Sequence, residues 1–263
     1  MTILYSDRMF GMVQNRSVVT RLLMSVQFFC NIMSKFLCKH RLLMSPEFLT
    51  TIILLLSFLF LIIITNYLYS HYHWSSENSR KFIHIAGGFL CVVGFRFLHS
   101  HWYVLILCST AFVILLITFI KKTLPSIHNT RRISFGSILF PIPIYFCFLA
   151  SKYWNNDLFF YLPVLLLTIS DTLAEWGGNK WGDRTIAFFN KQKTLAGSLC
   201  FAISAFVICF SLLFYFVAPS PAQILGYSTL LMFTTTLAEL LTLKGFDNIT
   251  VPAVTLLLLH SFL

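Results

Sequence analysis

The sequence predicts an all-α membrane protein, built as a polytopic transmembrane helical bundle of about eight spans. Of its 263 residues, 57% are hydrophobic and only 11% are charged, whereas soluble domains carry about 25% charged residues. The mean hydropathy is +0.80. The long apolar runs lack the alternation of apolar and polar residues that strands show, so the predicted elements are helices.

Eight apolar runs are the predicted spans. They cover residues 48–70, 83–98, 102–120, 134–150, 158–173, 195–217, 222–241 and 249–263. Several are shorter than the roughly 20 residues that a simple crossing helix needs. We therefore expect that flanking residues extend these helices or that the bilayer is thinner beside a polar site.

The N-terminal residues depart from this pattern, and we treat residues 1–45 as a basic extension of a membrane-embedded domain at 46–263. Alternation of the spans places the extension on the outer side, although it contains six basic residues. The stretch "LLMSVQFFCNIMSKFLC" is either an extra, poor span or an interfacial helix. Alternatively, the true start is Met24, Met33 or Met44. We favour a dispensable or misassigned extension.

Basic residues gather in the loops that alternation places on one side of the membrane. They are Arg80, Lys81, Lys121, Lys122, Arg131, Arg132, Lys180, Arg184, Lys191, Lys193 and Lys244. Beyond the N-terminal extension, the other side holds only Arg96 and Lys152. Since basic loops remain in the cytosol, we expect the motif-bearing loops to face the cytosol. The net charge of +10 then reflects topology, and no nucleic-acid partner is expected.

Acidic residues gather on the same side as the basic loops. Six of the nine acids lie there, and they are Glu77, Asp171, Glu175, Asp183, Glu239 and Asp247. Carboxylates have little influence on membrane topology, and acids near apolar spans are costly unless they are paired. Their position therefore indicates a functional site.

The stretch "DTLAEWGGNKWGD", which begins at Asp171, carries the main candidate site. Asp171 and Glu175 are four residues apart, so they share one face of a helix. Two carboxylates at the end of a span repel each other unless a cation binds them, and Mg²⁺ fits because it takes oxygen ligands together with substrate phosphates. Gly178 and Gly182 allow the backbone to approach a bulky anion, and Lys180 supplies positive charge for phosphates.

The residues that follow extend this predicted anion site into the next helix. Arg184 and Lys193 add positive charge for phosphates. In "KTLAGS", which starts at Lys193, Thr194 is predicted to cap the helix, and the first N–H groups of that helix form an anion site.

Two polar elements precede the main stretch. In "RKFIHIAGG", Arg80 and His84 share one helix face, with a glycine pair one turn further on. In "RRISFGSILFP", Arg131 and Arg132 precede a span that is interrupted by prolines. Taken alone, the first element is equally consistent with a juxtamembrane anchor, and the second is better explained as a topology signal and a kinked helix.

A fourth polar element lies near the C-terminal end, where "GFDNITVP" opens the last apolar run. Glu239 lies near the end of the preceding run and needs a partner there. Asp247 and Asn248 offer oxygen ligands for a metal ion, and Asn248 can equally serve as an N-cap.

In this order, the four stretches resemble the dolichol kinase, phytol kinase and CTP-dependent diacylglycerol kinase family of membrane lipid kinases. The resemblance covers roughly residues 77–252 and depends on the combination of motifs. The central stretch also resembles phosphatidate cytidylyltransferases. Those enzymes end in a basic, glycine-rich signature, however, where this chain has "KGFDNITVP". This difference favours the kinase.

The resemblance implies that the γ-phosphoryl group of CTP, or of another nucleotide, is transferred to a lipid alcohol: a polyprenol, a phytol-like alcohol or diacylglycerol. Asp171 and Asp247, with Glu175 or Glu239, would bind Mg²⁺ on the triphosphate. The remaining implied contacts to the nucleotide come from Arg80, Arg131, Arg132, Gly178, Lys180, Gly182, Arg184, Lys193, Thr194, Gly197, Ser198 and Asn248. An aspartate or His84 would accept the proton of the alcohol.

Two other classes of function stay open on the sequence. A cytidylyltransferase would also use CTP but would release pyrophosphate. A transporter for an anionic substrate would also need acids near the membrane and basic loops. The gathering of the charges on one face, rather than at the middle of the bilayer, favours an enzyme.

Overall fold

The structure, a computed structural model, describes residues 45–72, 74–121, 123–128, 135–182, 193–217, 220–242 and 245–263. Residues 50–263 form one compact unit. Of the preceding unit, only residues 45–49 are described, so most of the predicted N-terminal extension lies outside the described residues. The regular elements of the described part are helices, and the predicted all-α membrane bundle is confirmed.

Eleven α-helices and one π-helical turn make up the described fold. They are α1 (Pro46–His71), α2 (Ser76–Phe95), α3 (His101–Lys121), α4 (Pro125–His128), α5 (Gly136–Leu139), α6 (Pro141–Tyr153), α7 (Leu158–Leu165), the π-helical turn (Leu166–Ser170), α8 (Asp171–Trp181), α9 (Leu195–Phe216), α10 (Pro221–Leu241) and α11 (Asp247–Phe262).

Helices occupy all eight predicted spans, and among the described residues six of them are long and apolar enough to cross a membrane. These six are Pro46–His71, His101–Lys121, Gly136–Tyr153, Leu158–Trp181, Leu195–Phe216 and Pro221–Leu241. The other two predicted spans correspond to α2, which carries several charged residues in its first turns, and to α11, which has only 16 residues. The chain is an integral membrane protein.

Two helices extend beyond their predicted limits into polar sequence. The second span was expected to begin at residue 83, but α2 begins at Ser76, where the hydroxyl of Ser75 accepts the N–H of Asn78 at 3.2 Å. The fifth span was expected to end at residue 173, but α8 continues to Trp181. Both extensions convert predicted loop into helix, so that Arg80 and Glu175 project from rigid elements.

Glycines explain why the polar sequence of α8 is helical, because they let α8 pack closely against the start of α9. A Cβ added at Gly177 would lie 2.4 Å from Sγ of Cys200, and one added at Gly178 would lie 2.8 Å from Oγ1 of Thr194. From the other side, a Cβ at Gly197 would lie 2.7 Å from the carbonyl oxygen of Ala174. Small residues permit this kind of close approach in membrane bundles.

The π-helical turn between α7 and α8 positions the candidate site. Its wider winding is closed by the N–H of Asp171, which donates to the carbonyl of Leu166, five residues earlier. α2 approaches this turn closely, because a Cβ at Gly88 would lie only 2.1 Å from Oγ1 of Thr168. Turns of this type are frequent at functional sites.

A hydrophobic core lies among α7, α8, α9, α10 and α11. Fully buried side chains there include Leu166, Phe201, Leu213, Leu231 and Leu259. α9 packs along both α8 and α10, and α11 packs on α10 and α7. This arrangement brings the end of α10 and the start of α11 next to the start of α9 and to α8.

Candidate active site

Six charged side chains from five parts of the fold form the charged cluster. They are Arg80 from α2, Asp171 and Glu175 from α8, Lys193 from the residue pair before α9, Glu239 from the last turn of α10 and Asp247 from the first turn of α11. All six were predicted site residues. The structure therefore brings together residues that are far apart in the chain, while their chemical roles stay predictions.

Arg80 and Glu175 form one ion pair of the charged cluster. A guanidinium nitrogen of Arg80 donates to Oε1 of Glu175, and the two side chains are only 23% and 27% exposed. Arg80 also interacts electrostatically with Asp171 and Asp247. The predicted phosphate-binding arginine thus already lies among the acids that were predicted to bind Mg²⁺.

Lys193 forms the second centre of the charged cluster. Its Nζ donates to Oε1 of Glu239 and lies 3.2 Å from Oδ2 of Asp247. The carboxylate of Glu239 is only 4% exposed, so its charge requires a partner at this position. Burial disfavours the charged form of Lys193, but Asp247, Glu239 and Asp171 outweigh burial and raise the pKa of Lys193 above its ordinary value.

Asp171 interacts with members of both ion-paired groups. It interacts electrostatically with Asp247 and Lys193, and more weakly with Glu175 and Glu239. It begins α8, directly after the π-helical turn. Asp171 and Asp247, which are far apart in the sequence, therefore interact electrostatically in the fold. Their role as metal ligands stays a prediction.

Several buried oxygen atoms around the charged cluster have no hydrogen-bond partner among the described residues. They are Oε2 of Glu239, Oδ1 of Asn248, Oγ of Ser170 and Oγ of Ser198. Buried polar atoms normally have a hydrogen-bond partner, so buried oxygens without one are candidate ligand contacts. Carboxylate, amide and hydroxyl oxygens are the ligands that Mg²⁺ takes, and hydroxyls also bind phosphate.

The donor set therefore fits Mg²⁺ in its chemistry. Within the part of the chain that the structure describes, however, no three His, Cys, Asp or Glu side chains are grouped to hold a metal ion. Lys193 lies against two of the predicted ligands, Glu239 and Asp247. A magnesium ion shared by these acids would require Lys193 to move toward the phosphates.

Asn248 fixes the start of α11. Its amide nitrogen donates to the carbonyl of Gly136 at 2.7 Å, which ties α11 to α5, and the Asn248 side chain is buried. Gly245, just before it, has a φ of 89°, a conformation that favours glycine. Asn248 thus combines an anchoring bond with a side-chain carbonyl oxygen, Oδ1, that has no hydrogen-bond partner among the described residues.

His84 lies beside the charged cluster, on the same helix as Arg80. Its Nε2 lies 3.0 Å from the carbonyl oxygen of Leu167 in the π-helical turn. Because a carbonyl only accepts, Nε2 carries the hydrogen and donates it. Nδ1 is then the nitrogen that can accept a proton, as the predicted base would.

The start of α9 has the predicted cap. Oγ1 of Thr194 accepts the N–H of Gly197 at 3.2 Å, while Oγ of Ser198 is buried and unsatisfied. Thr194, Gly178 and Gly197 contact one another, and a Cβ at Gly182 would collide with the carbonyl of Gly178. The structure therefore gives these glycines a packing function, whereas their contact with a nucleotide stays a prediction.

Lys180 belongs to neither of the described ion-paired groups. It is exposed, and its Nζ lies 4.8 Å from the ring centre of Trp176 and 5.2 Å from that of Trp181. Arg131, Arg132 and Arg184 lie outside the described residues. Their predicted contacts with phosphates stay predictions.

Two features of the site escape sequence reasoning. The carbonyl of Leu167, which accepts from His84, is backbone and leaves no residue-type signal. Ser170 is buried beside Asp171, and its position directly before that aspartate is its only signal in the sequence. Both depend on the π-helical turn, which apolar periodicity does not predict.

The fold and the charged cluster define a class: a polytopic α-helical membrane protein with a polar, ion-paired site built from helix ends. Comparison with known proteins finds similarity to a phytol kinase from Synechocystis sp., 24% identical over 179 residues, which cover 67% of this chain and 76% of that protein. No family model and no solved structure matches. The similarity confirms the resemblance to the dolichol kinase and phytol kinase family of membrane lipid kinases that the motifs predicted.

Proposed function

We propose that this protein is a membrane lipid-alcohol kinase that transfers the γ-phosphoryl group of CTP to the hydroxyl of a polyprenol, a phytol-like alcohol or diacylglycerol. The observation that carries the proposal is the charged cluster, in which four carboxylates and two basic side chains from separate helices meet beside the unsatisfied oxygens of Asn248 and Ser198. Similarity to a phytol kinase supports the same class.

Phosphoryl transfer suits such a cluster, because its catalysis consists mainly of alignment and of neutralising negative charge. Asp171 and Asp247, with Glu239 or Glu175, are the proposed holders of Mg²⁺. When bound, Mg²⁺ would neutralise oxygens of the triphosphate. Lys193 and Arg80 would donate to the phosphate oxygens once the nucleotide competes for their present carboxylate partners.

The proposed reaction needs one proton acceptor. The alcohol oxygen attacks the γ-phosphorus, the bond from that phosphorus to the β-phosphate oxygen breaks, and CDP leaves. The alcohol proton passes to a base, for which Nδ1 of His84 and a carboxylate of Asp171 or Asp247 are the candidates. The charged cluster would lie at the cytosolic face, where the nucleotide is found.

The test uses the full chain in membranes, supplied with phytol, a polyprenol or diacylglycerol and with either γ-labelled or α-labelled CTP. We expect the γ-label, and not the α-label, to enter the lipid product. The variants Asp171→Asn and Asp247→Asn should lower the rate by at least about 100-fold. Asp157→Asn is the matched control, because Asp157 precedes α7 at the end of that helix remote from Asp171.

Different results would separate the alternatives. Entry of the α-label would identify a cytidylyltransferase, the class that the central motif also resembles. Near-normal rates in both Asp171→Asn and Asp247→Asn would refute the proposed metal ligands. Equal labelling from γ-labelled ATP and γ-labelled CTP would support the kinase but contradict a specific use of CTP.

A further inference from the structure

An apolar cavity lies among α1, α2, α3 and α6 and reaches the charged cluster at one end. Its volume is about 130 Å³. Its walls include Leu54 and Phe58 from α1, Leu90 from α2, Leu107 from α3 and Phe148 from α6. These apolar side chains are not members of the charged cluster, and the proposed phosphoryl transfer does not use them.

The polar end of the cavity is shared with the candidate active site. Arg80, His84 and Ser137 line it there. Arg80 is ion-paired with Glu175, and His84 is bonded to the π-helical turn that precedes Asp171. The neighbour of Ser137, Gly136, accepts from Asn248. A molecule lying in the cavity would therefore present one end to the charged cluster.

The cavity follows α2 for much of its length. Its lining on this helix runs from Arg80 to Phe95, which corresponds to about 22 Å at the rise of an α-helix. That length is a large part of the roughly 30 Å hydrocarbon thickness of a bilayer. A hydrocarbon chain lying along α2 could therefore extend from the polar end of the cavity deep into the membrane region.

One position keeps this channel open next to the polar end. Gly87 is buried and lines the cavity, one helical turn after His84. A Cβ added there would meet no atom within 4 Å, whereas one added at the adjacent Gly88 would collide with Thr168. Gly88 is thus explained by helix packing, while the absent side chain of Gly87 leaves free space in the cavity.

We infer that this cavity binds the hydrocarbon tail of the acceptor alcohol and that Gly87 determines whether a bulky isoprenoid chain passes next to the reacting hydroxyl. The inference rests on the proposed function. It assigns the apolar part of the acceptor to the space among α1, α2, α3 and α6.

The first experiment compares Gly87→Leu with wild type in membranes, using a twenty-carbon prenol and a five-carbon prenol as acceptors. We expect the ratio of the rates on the long and short alcohols to fall at least about tenfold in Gly87→Leu. Gly226→Leu is the matched control, because Gly226 also has open space beside it but lies exposed on α10. Its ratio should equal that of wild type.

Ala111→Phe keeps the inference testable if Gly87→Leu does not fold. Ala111 lines the same cavity from α3, so this variant should lower the same ratio. Unchanged ratios in both folded variants would overturn the tail site.

A second measurement separates this inference from the proposed function. A twenty-carbon prenol carrying a photoreactive diazirine near its tail is cross-linked to the full chain without any nucleotide, and the labelled peptides are identified. We expect labelling in α2 and α3 that Gly87→Leu abolishes. Such labelling without any kinase activity would refute the proposed function and support the tail site. Kinase activity together with labelling of other helices would support the proposed function and refute the tail site.

Discussion

Lys193 Nζ lies 3.2 Å from Oδ2 of Asp247, although the two residues are separated by 54 positions in the chain. The same ammonium group also binds Glu239. One lysine therefore neutralises two carboxylates that come from the end of α10 and the start of α11. A lysine in this position is a built-in counterion for acids that are proposed to bind a divalent cation.

The first prediction concerns Lys193→Met. Without the ammonium group, Asp247 and Glu239 repel each other, and breaking a buried pair by removing one partner costs about 3–5 kcal/mol. We expect a lower melting temperature in detergent, measured by intrinsic fluorescence, and a larger stabilisation by added Mg²⁺ than in wild type, since the freed acids then need another cation.

Lys152→Met is the control for that experiment. Lys152 lies over the rings of Phe95 and Phe148 at 4.9 and 5.1 Å, away from the acids, so its replacement should leave the response to Mg²⁺ at the wild-type value. An identical response to Mg²⁺ in Lys193→Met and wild type would argue against Asp247 and Glu239 as metal ligands.

The second prediction concerns pH. The neighbouring carboxylates raise the pKa of Lys193 above its ordinary value, which is about 10.4 in an unfolded chain. Because the pKa of Lys193 is higher in the folded state than in the unfolded chain, its ion pairs contribute fully to stability at every pH below the unfolded-chain pKa. This contribution is lost only as the pH rises through the folded-state pKa. Lys193 therefore remains charged up to at least about pH 9 and cannot act as the base.

The rate of lipid phosphorylation as a function of pH checks this expectation. Wild type and Lys193→Arg should show the same alkaline limb up to about pH 9, because arginine stays charged throughout this range. An alkaline loss of activity in wild type that Lys193→Arg abolishes would show that Lys193 titrates in the working range.

The third prediction concerns the pair of Arg80 and Glu175. Because the carboxylate of Glu175 is already ion-paired with Arg80, we expect Glu175→Gln to lower the kinase rate less than Asp171→Asn does. The dependence of the rate on the Mg²⁺ concentration should change little. Arg80→Gln should raise the KM for the nucleotide, since the proposed contact is with phosphate. Arg96→Gln, at the other end of α2, is the matched control.

The double variant Arg80→Glu/Glu175→Arg isolates the role of the ion pair in the fold. If the pair stabilises the contact between α2 and α8, the melting temperature of the double variant should recover part of the loss in each single variant. Kinase activity should not recover, because the double variant has a carboxylate at position 80, where the proposed phosphate contact needs a positive charge. Full recovery of activity would mean that the pair is structural only.

The sequence predicts the bundle well and the local geometry less well. Apolar runs determine the spans because any exposed polar backbone is costly in lipid, and alternation then places Arg80, Asp171, Lys193 and Asp247 on one side of the membrane. The pairing of Arg80 with Glu175, 95 residues apart, is different. It depends on how α2 packs on α8, and no periodicity in the sequence encodes that contact.

The glycines of α8 illustrate the same limit. Flexible glycines next to basic residues predict an anion-binding loop, since both features are typical of phosphate sites. In the structure, Gly177 and Gly178 lie on a helix against Cys200 and Thr194. Glycine is equally suited to a loop and to a close contact between helices. Only the packing of α8 against α9 shows which of the two structures these glycines adopt.

The last prediction contrasts two adjacent glycines, Gly88 and Gly87. A Cβ at Gly88 would lie 2.1, 2.4 and 2.8 Å from three side-chain atoms of Thr168. The collision forces α2 away from the π-helical turn and weakens the bond from His84 to Leu167. Overpacking of this kind costs about 1–3 kcal/mol, so Gly88→Ala should lower both the melting temperature and the kinase rate.

Gly87→Ala provides the comparison, because the two variants add the same methyl group to neighbouring positions of one helix. Alanine favours a helix over glycine by about 0.5–1 kcal/mol, and the space beside Gly87 is open. Its melting temperature should therefore equal or exceed that of wild type. Equal destabilisation by both alanines would mean that α2 does not contact the π-helical turn as described, and the bond from His84 to the carbonyl of Leu167 would then be in doubt.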